Sequence, residues 1–324
     1  MSLPSSLRLV AALVALGGCQ ADRVNLGTAD SSRRAEPASA SRDAVKVERH
    51  VYPAPKRLVA FGDVHGDLAA AQRALRLAGA TDASGAWIGG DLFVVQVGDQ
   101  LDRGDDDRAI LDYFEKLRKE AQAAGGTFLA LNGNHELMNA AFDFRYATEG
   151  ADRAFDDVDV PSELTGFDPP SRRGRAAAFR PGGPYAKKLA EQPLYAIVGG
   201  SVFAHGGILK KHLDYGLEKM DDEVKEWLLG SRKSPPKVVM SEDGPVWTRA
   251  FSAQTGPDDC ANLAGVLDAL GRRRMVMGHT PQRAGVSFAC DDKAVRIDVG
   301  LARYYQGPME VLEVVDETTK VLRE

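Results

Sequence analysis

The 324-residue chain is short of the features that would assign its class at once. Its three cysteines are too few for a disulfide scaffold, and none has a second cysteine or a histidine at zinc-ligand spacing, which excludes a structural zinc module. No apolar run reaches the ~20 residues that cross a bilayer as a helix. An excess of one charge is also missing, since 41 basic and 46 acidic residues leave a net −5. Without a basic face a chain cannot neutralise a phosphate backbone, so nucleic acid is excluded as a partner. What remains is 44% hydrophobic and 27% charged, which rules out a wholly disordered or fibrous chain. With 33 glycines and 16 prolines, many turns are expected.

The N-terminal residues read as export and processing signals. Arg8 precedes the ten-residue apolar run from Leu9 to Gly18, which has the length of a signal-peptide core. The run ends in Leu16-Gly17-Gly18-Cys19, which resembles the lipobox of bacterial lipoproteins. That resemblance implies removal of residues 1–18, lipidation of Cys19 and, with Arg8 gone, a change of net charge from −5 to −6. Gln20 after the cysteine, rather than Asp, points to the outer membrane. The expected location is the bacterial cell envelope, facing the periplasm and touching membrane through the lipid alone. Residues 19–55 include the small, polar, aperiodic stretch Ala29 to Ser41 and read as a disordered tether. Cys260 and Cys290 remain as an even pair in an exported chain, and a disulfide and two separate thiols both stay open.

From residue 56 to 324, short apolar runs alternate with helical patterns. Strands are expected at Leu58–Phe61, Val94–Val97 and Phe128–Leu131, and helices at Asp67–Leu77 and Arg108–Ala124, an alternation that argues for an α/β domain. Leu194–Val198 and Ser201–Ala204 read as a hairpin across Gly199-Gly200, and Arg274–Met277 as another strand. Val286–Ala289, Ala294–Val299 and Glu310–Val315 read as antiparallel strands, so a mainly parallel sheet is expected before a more antiparallel one. Residues 138–192 carry little periodicity and read as a partly helical insertion capping the site.

Five expected strand ends carry metal-ligand residue types: Asp63 and His65, Asp99 and Asp102, Asn134 and His135, His205, and His279. Ligands bind beyond the carboxyl ends of strands in open α/β sheets. Carboxylate, amide and imidazole donors without thiolate suit Mn, Fe or Zn. This many donors implies two ions, which can clamp the attacking and leaving oxygens of a displacement at phosphorus. One carboxylate must bridge them, and Asp99, in the middle of the series, is the natural choice. Flanking glycines allow the sharp exits such loops need.

Gly62-Asp-Val-His-Gly66, Gly98-Asp-Gln-Leu-Asp-Arg-Gly104, Gly133-Asn-His-Glu136 and His205-Gly-Gly207 together resemble the signature blocks of the phosphoprotein phosphatase family of calcineurin-like metallophosphoesterases, over about residues 57–305. Within it, Gly244-Pro-Val-Trp-Thr-Arg249, Gly278-His-Thr280 and Ile297-Asp-Val-Gly300 look most like the bacterial Shewanella-like protein phosphatases. The resemblance implies an α/β fold, an αββα sandwich of two mixed β-sheets flanked by helices. It implies one ion on Asp63, His65 and Asp99, and a second on Asp99, Asn134, His205 and His279. His135 would be the general acid and Asp102 its orienting partner, while Arg103 and Arg249 would grip the phosphoryl oxygens. The implied reaction is phosphomonoester hydrolysis on a phosphoprotein by a metal-bridging hydroxide, without a phosphoenzyme. Asn132 stands where eukaryotic members commonly have Arg, which weakens transfer of their serine/threonine preference. The Shewanella-like branch includes enzymes favouring phosphotyrosine, and that preference is expected here.

Two other readings stay open: a dinucleoside polyphosphate or nucleotide hydrolase of the same fold, and a non-catalytic surface-binding lipoprotein. Relatives of the first kind generally lack the Asp-Arg-Gly and His-Glu forms, and a non-catalytic relic would usually have lost a ligand. His50 and His212 read as solvated, Trp87 and Trp227 as packing residues, and Trp247 as pocket wall or core. Arg172, Arg173 and Arg175 read as a wet charged face.

Overall fold

In the computed structural model, residues 45–324 are described. The signal-like run, Cys19 and the tether up to residue 44 lie outside the described residues.

The chain runs through β1 (Val51–Tyr52), β2 (Leu58–Phe61), α1 (Leu68–Leu77), β3 (Phe93–Gln96), α2 (Asp107–Ala123) and β4 (Thr127–Ala130). α3 (Asn134–Ala140) leads into the insertion, which holds α4 (Glu149–Arg153), α5 (Arg173–Phe179) and α6 (Pro184–Leu189), with two 3₁₀ turns before α5. Next come β5 (Tyr195–Val198), β6 (Ser201–Ala204), α7 (Lys210–Tyr215), α8 (Leu217–Leu228), α9 (Lys237–Met240) and α10 (Pro257–Leu270). The chain closes with β7 (Arg274–Met277), β8 (Ser287–Ala289), β9 (Ala294–Arg296), β10 (Glu310–Val315) and β11 (Thr318–Arg323).

One sheet has the order β11-β10-β2-β3-β4 and the other β1-β5-β6-β7-β9-β8. Both are mixed. β2, β3 and β4 are parallel while β10 runs antiparallel to β2 and β11; β6, β7 and β9 are parallel, β5 runs antiparallel to β6 but parallel to β1, and β8 runs antiparallel to β9. The two-residue period of a strand sorts its side chains between layers. Leu58 and Ala60 of β2 meet Phe203, Val276 and Ile297 between the sheets, whereas Val59 and Phe61 face α1 and α2. Ile197, Val202 and Met275 face the helices on the other side. Strands buried on both faces read as continuous apolar runs, which is why β2, β3 and β6 were legible. The layers are helix, sheet, sheet, helix.

Local chemistry sets the ends of the helices. Asp67 caps α1 by accepting from Ala70 N at 3.0 Å. α10 starts at Pro257 with two aspartates in its first turn and stops at Gly271, whose φ of 64° is left-handed. Cys260 of α10 and Cys290 of the β8–β9 turn form a disulfide, with Cα atoms 5.1 Å apart.

The structure corrects several expectations. Residues 45–55 are not tether. β1 pairs with β5, Val45 N donates to Ala269 O, Arg49 forms an ion pair with Asp222, and His50 Nε2 lies 2.9 Å from Asp221. His212 is not solvated but fully buried, its ring accepting from Leu209 N and donating to Asp243 O. Burial pushes its pKa down to about 4. The C-terminal strands do not all join the second sheet. β10 crosses back beside β2, and β11, too polar to read as a strand, covers it. The strand expected to reach Val299 ends at Arg296 because Asp298 turns into the site.

A chain starting at residue 56 is expected to be about 1–3 kcal/mol less stable than one starting at residue 45, because it loses the edge-to-face Tyr52–Phe93 contact, the Arg49 ion pair and the His50–Asp221 hydrogen bond. Urea unfolding of the two chains measures this. Equal midpoints would show that docking of residues 45–55 contributes nothing.

Candidate active site

The carboxyl ends of β2, β3, β4, β6 and β7 meet at one edge of the sandwich. Val64 N and His65 N both donate to Asp99 O, joining the first two exits, and Gly278 N donates to His205 O, joining the last two. The Glu136 carboxylate accepts from Asp99 N, Gln100 N and Gly133 N at 2.9, 2.8 and 2.6 Å, binding the β3 and β4 exits together. A Cβ on Gly133 would collide with Asp99, and one on Gly278 with Asp63, so each loop approaches as closely as only glycine permits. His65, Asp99, Asp102, Arg103 and His279 all have positive φ, between 40° and 71°. Such backbone costs of order 1–3 kcal/mol per residue and persists only where its surroundings impose it.

Within this frame Asp99 Oδ2 lies 3.2 Å from His205 Nε2 and 3.8 Å from both His65 Nε2 and His135 Nε2. His65 Nε2 is also 3.8 Å from Asp63 Oδ2, and His205 Nε2 is 3.0 Å from Asn134 Oδ1. Backbone carbonyls set the tautomers. His205 Nδ1 donates to Val97 O, His65 Nδ1 to Leu101 O and His279 Nε2 to Trp247 O. The second nitrogens of His65 and His279 therefore present lone pairs to the site, whereas His205 Nε2 lies between the Asp99 carboxylate and the Asn134 amide oxygen, and, although burial opposes its charge, Asp99 raises its pKa. Imidazole nitrogens, carboxylates and an amide oxygen converging in a dry site are the donors that a divalent cation takes, so the donor set fits metal. Two clusters fall within ligating reach, His65–Asp99–His135 and Asp99–His205–His279. Asp99 is common to both, and the first cluster contains His135 where Asp63 was expected.

The charges agree. Burial alone would raise the Asp99 carboxyl, but the His205 and His135 imidazoles outweigh it and hold it well below the usual carboxylate range. Asp63 is pushed up by burial and by the neighbouring Asp298 and Asp99. Burial, with His135 beside it, lowers His65 to about 3, and burial with His205 lowers His279 to about 3, leaving both rings neutral as ligands require. His135 behaves differently. Burial opposes its charge, yet Asp99 and the Asp102 carboxylate, 2.5 Å from Nδ1, raise its pKa.

All the expected ligands, with His135 and Asp102, are brought together. Arg103 stands at the mouth, its guanidinium 4.5, 5.0 and 5.4 Å from the ring centres of Tyr146, Tyr304 and Tyr305. Arg249 is exposed and forms no hydrogen bond or ion pair with the other described site residues, although its charge helps to lower His279. The three tyrosines carry no local signal in the sequence, and Glu136 and Asp298 have roles not expected of them although they stand inside the signature blocks. Arg175 is no wet face: its side chain is 0% exposed and reaches Asp102.

Residues 56–296 match the family model for calcineurin-like phosphoesterases. The chain belongs to the calcineurin-like phosphoesterase family. Shewanella-like protein phosphatase 2 of Arabidopsis thaliana is 41% identical over 294 residues, covering 80% of this chain and 75% of the relative. Shewanella-like protein phosphatase 1 of Plasmodium berghei is 28% identical over 281 residues, covering 82% and 74%. Among solved structures, a cold-active protein tyrosine phosphatase superposes with a TM-score of 0.70 at 24% identity, over 86% of this chain and 83% of that one. A Saccharomyces cerevisiae serine/threonine phosphatase superposes with a TM-score of 0.53 at 16%, over 87% and 84%. These two structural likenesses show the fold. Family, relatives and donor set together make the chain a metal-dependent phosphatase.

Asp99→Asn is expected to lose metal and activity together, activity by more than about 100-fold, since even the outer partners of metal ligands are worth 10–100-fold. His135→Asn should keep its metal while turnover falls. Elemental analysis beside aryl phosphate hydrolysis tests both, and metal lost from His135→Asn would make His135 a ligand rather than a proton donor.

Proposed function

We propose that this phosphatase hydrolyses phosphoproteins and favours phosphotyrosine over phosphoserine and phosphothreonine. Similarity to the Shewanella-like protein phosphatases supports a phosphoprotein substrate. The observation that carries the preference is the aromatic surround of Arg103. Its guanidinium lies among the Tyr146, Tyr304 and Tyr305 rings, beside a cleft of about 390 Å³ lined by His65, Arg103 and Tyr304. An arginine that grips the phosphoryl oxygens from there keeps an aryl ester's ring within reach of these tyrosines, where ring contact adds about 0.5–1.5 kcal/mol. The short alkyl ester of phosphoserine has no ring to offer.

In this reading Asp63, His65 and Asp99 hold one ion, and Asp99, Asn134, His205 and His279 the other. Bound there, the ions supply Lewis acidity at the phosphoryl group. Arg103 orients the phosphoryl oxygens through a planar fork that the surrounding rings keep in place, and Arg249 adds positive charge from the rim. His135 carries the proton for the leaving oxygen on Nε2, because Asp102 occupies Nδ1. The lipobox-like Leu16-Gly17-Gly18-Cys19 supports an envelope location with a lipid on Cys19.

Matched phosphotyrosyl and phosphoseryl peptides, with the Mn-loaded chain, test the preference. Tyr304→Ala is expected to lower kcat/KM for the phosphotyrosyl peptide about 2–10-fold, the size of one ring contact, and to leave the phosphoseryl peptide nearly unchanged. Equal rates on the two peptides would remove the preference, and turnover of a dinucleoside tetraphosphate in place of either would move the substrate to nucleotides. Cys19→Ser is expected to release the chain from the membrane fraction, measured by immunoblot.

A further inference from the structure

The proton donor His135 is held by Asp102, and Asp102 is in turn held from the insertion. Arg175 lies in α5, fully buried, with Nη2 2.6 Å from Asp107 Oδ2 and 3.1 Å from Asp102 Oδ1, and Nε 2.8 Å from Asn139 Oδ1. Asn139 Nδ2 donates to the same Asp102 Oδ1 at 3.2 Å. Both donors therefore take Oδ1, and Oδ2 is left to His135 Nδ1 at 2.5 Å. Asp107 Oδ1 accepts from Asp102 N at 2.9 Å, which ties down the backbone of a residue with φ of 71°. The guanidinium is walled by Phe179, Phe155 and Phe144, with ring centres at 5.3, 5.6 and 5.7 Å.

We propose that Arg175 is a positioning residue for proton donation, fixing the Asp102 carboxylate and through it the direction in which His135 Nε2 points. Three acceptors on three segments, Asp102, Asp107 and Asn139, are spanned by one rigid fork. An ammonium group, acting as a single point, cannot reach all three. Dry aromatic walls strengthen these hydrogen bonds and keep out water that could replace them. Without Arg175, Asp102 keeps Asn139 as its one side-chain donor on Oδ1 and stands beside a second buried carboxylate. The imidazole it steers then loses its fixed bearing. The inference rests on His135 being the proton donor and is independent of the phosphotyrosine preference.

Proton donation matters most for poor leaving groups, and this separates positioning from simple structural support. With the full chain loaded with Mn, kcat is measured for 4-nitrophenyl phosphate, whose leaving group needs little proton help, and for phenyl phosphate, which needs much. Arg175→Met is expected to slow phenyl phosphate about 10-fold or more, part of the ~10²–10⁴-fold available from general acid catalysis, and 4-nitrophenyl phosphate less than about 3-fold. Arg175→Lys should fall between Arg175→Met and the parent. In a His135→Asn background Arg175→Met should add no further loss that depends on the leaving group. Circular dichroism and Mn per chain identify the folded, loaded variants, and Arg175→Lys carries the test if Arg175→Met does not fold. Equal losses on the two esters, or losses that multiply with His135→Asn, overturn the proposal and leave Arg175 a structural residue. If His135→Asn itself slows the two esters equally, the assignment of His135 as proton donor fails, and the proposal falls with it.

Discussion

The Asp99 carboxylate is the constraint around which this molecule is arranged. It is buried beside three further carboxyl groups, those of Asp63, Glu136 and Asp298, at a point where two sheets and five loops converge. Like charges at this depth repel strongly, because the surroundings screen them poorly. Burial and mutual repulsion push Glu136 to about 7 and Asp298 to about 6, while neighbouring imidazoles keep Asp99 ionised. Backbone N–H groups meet part of this demand, three of them on Glu136 alone within 2.9 Å. The remainder is a demand for cations. Carbonyl-tethered histidines, glycines that admit close approach and left-handed backbone at five site residues all follow from it.

The insertion gives that arrangement its rigidity. Phe155, Phe179 and Tyr185 stack edge to face within a core cluster, so α5 and α6 are part of the folded body rather than a separate lid. From this base Tyr146 offers a carbonyl to Arg103 N and a ring to its guanidinium, and Arg175 reaches Asp102. The segment thus supports two adjacent residues in costly backbone conformations, Asp102 and Arg103, one serving the proton donor and the other the phosphoryl group.

The parts of this site that were legible share one property: they lie within a few residues of a strand whose apolar run is continuous. Asp63 follows Phe61 and His279 follows Met277, so periodicity and residue type together marked them. Arg175 has no such neighbour. It stands in Arg172-Arg173-Gly174-Arg175, and nothing local distinguishes an arginine bound to two buried carboxylates from one in water. His212 was misread for the same reason, with two lysines before it concealing a buried ring. β11, mostly polar because one face meets solvent, gave no apolar signal.

By itself the sequence determined the strand-loop units, the donor types and their order along the chain, because metal ligation and sharp turns need particular residues at short range. Tertiary structure alone decided that β10 returns to the first sheet, that residues 45–55 dock on the second, that Cys260 pairs with Cys290, and that an arginine from α5 supports a histidine 40 positions earlier. These contacts join segments far apart in the chain. Their partners are chosen by which surfaces the packed core brings together, and that choice leaves no local mark on the residues that make it.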